Sequence, residues 1–470
     1  MRFILAAFIF TFSISALAQS GRVNPMVAPT AAPVAADLSI KQLFDEANSY
    51  NRLKFAEYEQ KKIAYSERLR LATEREQRQL AAKYANSASA RANATAEDIY
   101  YTGLLHWIAE NYDGTTEALK KYLEFADQKP ERTQNARSII VYVFAKQKKF
   151  DEALKYLDDY ESGVIKMSDR WRMNSELAKA YIATKDYVKA AAHASKSYEA
   201  SKALVKDPKS KVNPADAVLD AGMLLFETKR DLGNVKEADA ALEDMRNTAS
   251  VISSPIFFYY AADKLITYQI ETNRKAIGME TYLASLIKAG KDFASKGTEN
   301  DAIQRLKRRE KQYRLLAEPA PEIVGMDQWF PGTPKTLASL KGKVVLLDFW
   351  ATWCGPCFDA FPSLSEWHQD LTGDGLVIIG MTRYYGRAEG MPADHPSEIA
   401  SLKRFKEKYS LGYDFAVADD QITQNLYAAT SLPTTVLIDR KGVVRYIESG
   451  TNPTRIEELR AMVIKLLNEK

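Results

Sequence analysis

The sequence predicts a two-part chain, an all-α helical-repeat region followed by an α/β domain, and three observations carry that reading. Residues 38–84 contain neither Gly nor Pro and are rich in Glu, Lys, Arg, Gln and Ala, a composition that favours helix. Small residues then recur in the second helix of successive helix-turn-helix patterns, at Ala118, Ala153, Ala190 and Ala238, which lie 35, 37 and 48 residues apart. After a break at Ala317-Glu-Pro-Ala-Pro-Glu322 the hydrophobic pattern changes to short, near-continuous apolar runs separated by helical stretches. That is the signature of buried strands in an α/β layer structure.

Composition narrows the function before any motif is considered. Of 470 residues 46% are hydrophobic and 11% aromatic, enough for packed cores, so wholesale disorder is excluded. Lys and Arg (65) nearly balance Asp and Glu (61), and a net charge of +4 is too small to imply a nucleic-acid partner. Cys354 and Cys357 are the two cysteines of the chain, and the four histidines, His106, His193, His368 and His395, show no ligand spacing. A disulfide-stapled scaffold and a cysteine-rich zinc site are both excluded, and no metal or organic cofactor is expected.

Met1 to Ala18 read as an export signal: Arg2, an apolar run from Phe3, and Ala16-Leu17-Ala18 as a small-x-small cleavage site. Residues 19–37, rich in Ala, Pro and Val, read as a flexible linker. No Cys follows the signal, which excludes a lipid-modified cysteine at the new N-terminus. The expectation is therefore an exported, soluble protein, periplasmic or otherwise extracytoplasmic, where thiols tend to oxidise.

Residues 38–316 form the helical region. A small residue facing a large one lets paired antiparallel helices approach closely, and stacked pairs build a solenoid. The alanine-anchored units resemble tetratricopeptide repeats, whose spacing is tighter; the first three fit the pattern, the fourth is degenerate, and an ordinary helical bundle is the competing arrangement. The basic run Arg305, Lys307, Arg308, Arg309, Lys311, Arg314 reads as a solvated helix face. Closely spaced prolines then end the helix, and residues 317–321 are taken as a linker. In 322–470, strands are expected at Val344–Trp350 and Gly375–Thr382, a hairpin over Thr434–Ile447, and helices at Cys354–Leu371, Pro396–Tyr409 and Pro453–Leu467.

The chemistry sits in Trp353-Cys354-Gly355-Pro356-Cys357, where a buried strand gives way to a helix. Unpaired N–H groups at a helix start favour an anion, which lowers the Cys354 thiol and makes it the nucleophile. Pro356 lacks an N–H and is tolerated in a first turn, and the spacing lets Cys357 reach back to Cys354. A haem attachment motif would need His where Phe358 stands, and a bridge across so short a loop removes little unfolded-state entropy. The reading is a redox dithiol.

Val344-Val-Leu-Leu-Asp-Phe-Trp-Ala-Thr-Trp-Cys-Gly-Pro-Cys357, together with Ser431-Leu-Pro-Thr-Thr-Val-Leu-Ile-Asp-Arg-Lys-Gly442, resembles the thioredoxin fold. With Leu340-Lys-Gly-Lys ahead of it and the exported context, residues 321–470 are similar to TlpA-like thiol–disulfide oxidoreductases. The resemblance implies Cys354 as attacking and Cys357 as resolving cysteine. It implies Asp348 as the buried carboxylate that shuttles the resolving thiol's proton, although an acid at a strand edge bonded to solvent would look the same. It further implies Pro433 as a cis-proline beside the disulfide, presenting the backbone of Leu432 to a substrate chain, and Pro362 as a kink in the active-site helix. Trp353, Gly355 and Pro356 would meet substrate, with Trp353 shielding the site or serving as a core aromatic.

Departures from the family are Phe358, where a base is usual, and the absence of the buried lysine of thioredoxin proper near Met381-Thr382-Arg383. The stretch Tyr384 to His395 reads as an added loop, a substrate contact or an exposed connector. The expected activity is reduction of disulfides in protein clients, with a membrane electron donor implied by the resemblance and the helical repeats as a platform for clients or protein partners. Two alternatives stand: a helical scaffolding protein with an accessory redox domain, and a thiol peroxidase.

Overall fold

A computed structural model describes residues 38–126, 129–207 and 212–469; the expected export signal at 1–18 and the linker at 19–37 lie outside the described residues. The described residues fall into two compact units that divide at 128/129. The first holds α1 (Ile40–Gln60), α2 (Glu67–Ser89), α3 (Ala96–Ile108) and α4 (Tyr112–Leu123). Ser39, Ser66, Thr95 and Asn111 each accept a backbone N–H of the following first turn, which is why the helices begin there. Tyr50 donates to Glu76 at 2.8 Å and Gln77 to the Ala47 carbonyl at 2.8 Å, joining α1 to α2. α3 and α4 meet at Gly103, where an added Cβ would lie 2.6 Å from Leu119.

The second unit opens with four helical hairpins: α5 (Pro130–Lys146) with α6 (Phe150–Glu161), α7 (Met167–Ala183) with α8 (Tyr187–Val205), α9 (Pro214–Asp231) with α10 (Val235–Val251), and α11 (Pro255–Glu271) with α12 (Lys275–Asp292). Ala153, Ala190 and Ala238 lie fully buried on the second helix of their pairs, and Ala118 is half-buried on α4. One turn geometry recurs. Glu110, Lys148, Lys185, Gly233 and Asn273 take φ of 57°, 57°, 63°, 75° and 60°. The next residue's N–H reaches five residues back in each case, to the carbonyls of His106, Phe144, Tyr181, Lys229 and Gln269. Among the described residues no helix is long and apolar enough to cross a membrane.

α13 (Lys296–Leu315) carries the expected solvated basic face with one correction, at Arg309. Lys307, Arg308, Lys311 and Arg314 are exposed, but Arg309 is buried, with Nε 2.9 Å from Asp263, Nη2 3.3 Å from Glu448 and Nη1 3.0 Å from the Ile447 carbonyl. The charge is tolerated because two carboxylates and a carbonyl replace its water.

A six-stranded sheet follows, built from β1 (Met326–Phe330), β2 (Val344–Phe349), β3 (Leu376–Arg383), β6 (Asp414–Ala418), β7 (Thr434–Ile438) and β8 (Val444–Ser449), in the order β1-β6-β3-β2-β7-β8. β2 runs parallel to β3 and antiparallel to β7. A two-residue ribbon of β4 (Arg387–Ala388) and β5 (Met391–Pro392) projects beyond β3. α14 (Phe361–Leu371), α15 (His395–Lys408), α16 (Ile422–Leu426) and α17 (Pro453–Asn468) complete the domain. The strands expected from the apolar runs are present; β1, β4, β5 and β6 are additional.

β2 is buried at all six positions, and its alternation divides the interior. Val345, Leu347 and Phe349 join a core continuous with α9 to α13, including Phe258, Leu306 and Tyr313. Val344, Leu346 and Trp350 join a second core that holds both cysteines. Residues 317–320 connect the two parts with hydrogen bonds of their own: Ala317 N–H to Val444 O at 2.8 Å, Val444 N–H to Glu318 O at 2.9 Å and Ala320 N–H to Gly442 O at 2.8 Å. Together with Arg309 on Ile447 O, they occupy the edge of β8 that would otherwise present open backbone groups.

Candidate active site

At the end of β2, Trp350 N–H bonds Met381 O at 3.0 Å and the chain turns so that Cys354 N–H bonds Ala351 O at 3.0 Å. Cys354 and Cys357 form a disulfide with Cα atoms 5.4 Å apart. Both sulfurs are recessed, Cys354 at 4% and Cys357 at 1% exposure, while Gly355 and Pro356 between them are exposed. The expected helix from Cys354 to Leu371 is a correction. Residues Gly355–Asp359 form a 3₁₀ turn, and α14 begins only at Phe361. Prolines explain this: Pro362 has no N–H to donate to Phe358 O, so the chain closes the short bonds Cys357 N–H to Cys354 O (3.0 Å) and Ala360 N–H to Cys357 O (3.3 Å) instead. Cys354 therefore heads a tight turn ahead of the α-helix, and an α-helical dipole does not start at its sulfur.

Asp348 lies in the interior strand β2 at 1% exposure, opposite Gly380 of β3 and Thr435 of β7. A strand-edge acid bonded to solvent is excluded by that position. Alternation puts it on the same side of β2 as Leu346 and Trp350, the side whose core contains the disulfide. Neither carboxylate oxygen has a hydrogen-bond partner, and burial pushes the acid up to about 7. The hydroxyl of Tyr413, beside β6, is also buried without a partner and feels the Asp348 charge. Sequence reasoning missed Tyr413 because β6 itself was not recognised. Among the described residues no charged group is seen to offset the burial of Asp348; Lys406 of α15, lowered to about 8 by burial, donates to the carbonyls of Leu411 and Tyr413.

The Leu432–Pro433 bond is cis, Pro433 is buried and Leu432 half-buried, and Leu432 packs against the core that contains the cysteines. Trp353 is 62% exposed, so it is no core aromatic; its ring stands edge-on to Tyr385 at 5.4 Å, and the Arg383 guanidinium lies 4.3 Å from the Tyr385 centroid on the other partner. Arg383, Tyr385, Met381, Trp350 and Leu432 line a narrow cleft. The added loop is anchored rather than loose at its base: Tyr384 is buried and stacks on His395 at 3.7 Å, and the carboxylate of Glu398 accepts the N–H groups of Tyr385 and Gly386, both at 2.8 Å. Phe358 turns inward, within 5.6 Å of the Phe361, Phe405 and Tyr409 rings.

Chemically, the arrangement offers a reversible dithiol, a buried acid able to hold or release a proton near neutral pH, and an accessible aromatic rim. Residues 316–447 match the family model of the AhpC/TSA family. The thiol-disulfide oxidoreductase ResA of Geobacillus kaustophilus is 30% identical over 142 residues, which are 30% of this chain and 74% of that protein. The protein DipZ of Mycobacterium tuberculosis is 33% identical over 153 residues, 32% of this chain, and the match spans about a fifth (21%) of the length of DipZ. A solved thiol:disulfide interchange protein of the thioredoxin family from Chlorobium tepidum is 24% identical with a TM-score of 0.26, covering 32% of this chain and 97% of that one. The fold of the C-terminal domain is a thioredoxin fold, and through it the chain belongs to the thiol-disulfide oxidoreductase family that includes ResA.

Proposed function

We propose that this oxidoreductase reduces disulfides of protein clients outside the cytoplasm by dithiol exchange. The observation that supports it most is the recessed Cys354–Cys357 disulfide at the end of β2, on the same side as the unpartnered Asp348 carboxyl. In the reduced chain the Cys354 thiolate attacks a client disulfide; a Cys354–client bond forms, the client bond breaks, and one client thiolate leaves. Cys357 gives its proton to Asp348 and attacks the Cys354 sulfur, so that the second client thiolate leaves and the chain's own disulfide forms. Two electrons pass from chain to client. A membrane-held dithiol donor then returns the pair to the reduced state. Cys354 takes the attacking role because it is the less buried of the two and stands next to the exposed Trp353. The stacked tetratricopeptide-like hairpins supply a surface for clients or protein partners.

Trapping tests this reading. With Cys357→Ser the second step is blocked, and the full chain should accumulate client proteins covalently bonded through Cys354, released by reductant and identified by mass spectrometry. If no protein adduct accumulates while the wild-type chain consumes hydrogen peroxide, the thiol peroxidase reading replaces this one.

A further inference from the structure

We infer that Gln312 of α13 is a positioning residue for the Pro433 loop, so that the last helix of the repeat region sets how a client chain docks beside the disulfide. The inference rests on the dithiol-exchange reading above. Gln312 is 3% exposed, and its amide nitrogen donates to Ala428 O at 3.0 Å and lies 3.5 Å from Ser449 Oγ. Ala428 opens the loop that leads to the cis bond, with φ 51°. Ser449 pairs with Thr434, the residue after Pro433, and their hydroxyls are 2.8 Å apart. Thr434 in turn donates to Ser431 O at 2.6 Å, and Gly450 N–H bonds Pro433 O at 2.7 Å. One side-chain amide therefore ties down both the start and the end of the segment that presents Leu432 and Pro433.

The amide is held the right way round. Its oxygen accepts from Nη1 of Arg309, which leaves only the nitrogen to face Ala428. Arg309 is fixed in turn by Asp263 of α11 and by Glu448 and Ile447 O of β8. A chain of hydrogen bonds thus runs from α11 through Arg309 and Gln312 to the Pro433 loop. None of these groups touches the sulfurs. Their effect on chemistry must pass through the backbone that a client peptide pairs with, and a small disulfide without peptide groups has no use for that backbone.

The experiment uses the full chain with dithiothreitol as electron source. Insulin serves as the protein disulfide and hydroxyethyl disulfide as the small one. Gln312→Met keeps the length of the side chain and removes both donor and acceptor. The expected result is a KM for insulin raised about five-fold, the value of roughly one buried hydrogen bond. The kcat and the rate with hydroxyethyl disulfide should hold within about two-fold, since the reacting groups are untouched. Ser449→Ala removes the relay to Thr434 with little risk to folding and should shift KM in the same direction, so it carries the test if Gln312→Met is not recovered folded. Unchanged KM for insulin in a folded variant overturns the inference, and so does an equal loss on both disulfides, the mark of a merely structural role. A wild-type chain that leaves insulin unreduced overturns the dithiol-exchange reading itself, and the inference with it.

Discussion

Replacing Cys354 with Ser should lower the rate of disulfide exchange at least about 1000-fold, because a hydroxyl at that position is not ionised and cannot displace a thiolate. Cys357 offers no detour: at 1% exposure it sits beneath its partner, and its geometry serves attack on the Cys354 sulfur. Loss of the cross-link itself has a modest effect on the fold. The bridge spans residues only three apart, and closing so short a loop is worth about 2 kcal/mol on the chain-entropy account. The variant should therefore remain folded, with a small drop in its urea midpoint under oxidising conditions and none under reducing ones. Stopped-flow exchange and equilibrium unfolding on the same preparation separate chemistry from stability. Substantial residual exchange in a folded Cys354→Ser chain would assign the attack to another group.

Asp348 carries the second large effect, and it has two signatures. Its carboxyl is raised from 3.8 to about 7 by burial, so the folded chain holds the proton more tightly than the unfolded chain does. The associated stabilisation is present in full below about pH 4 and is lost as pH rises through about 7; the gap corresponds to about 4 kcal/mol, an upper value because some relaxation accompanies ionisation. Asp348→Asn removes the ionisation without changing the shape. It should be more stable than wild type at pH 8 by up to about 4 kcal/mol and indistinguishable near pH 4, read from urea unfolding across that range. The same variant should resolve the mixed disulfide about 100-fold more slowly at pH 7, since no group takes the Cys357 proton, and the deficit should shrink as pH rises toward the thiol's own ionisation. A variant with faster exchange, or with a wild-type pH profile of stability, would remove Asp348 from the proton path.

Much of this architecture can be read in the chain, for identifiable reasons. β2, β3 and β7 announce themselves because strands covered on both faces need uninterrupted apolar runs, as in Val344-Val-Leu-Leu. β1 does not, because it is a half-exposed sheet edge without alternation, and β6, Asp414-Phe-Ala-Val-Ala418, carries only two large apolar residues. The hairpin turns are silent for another reason. Glu110, Lys148, Lys185 and Asn273 adopt the left-handed conformation that Gly233 alone signals by residue type, so four of five turns carry no glycine mark. Arg309 looked like its basic neighbours, and only the packing of β8 against α13 distinguishes it. At the site, the cysteine spacing was visible as chemistry, whereas the role of Asp348 and the cis form of Leu432–Pro433 came from family resemblance alone. Tyr413 and Arg383 reach the site by tertiary folding and left no local trace, whereas Tyr385 lies in the Tyr384–His395 loop that the sequence offered as a substrate contact or connector.

One measurement bears on the central claim most directly. The wild-type chain, fully reduced and freed of reductant, is mixed with excess insulin, quenched with acid, alkylated and weighed by mass spectrometry. Dithiol exchange requires that the chain end with Cys354 bonded to Cys357 and unalkylated, and that insulin gain one pair of alkylated thiols for each chain oxidised. A chain that keeps both thiols free in the presence of insulin, yet oxidises readily with hydroxyethyl disulfide, would contradict the account.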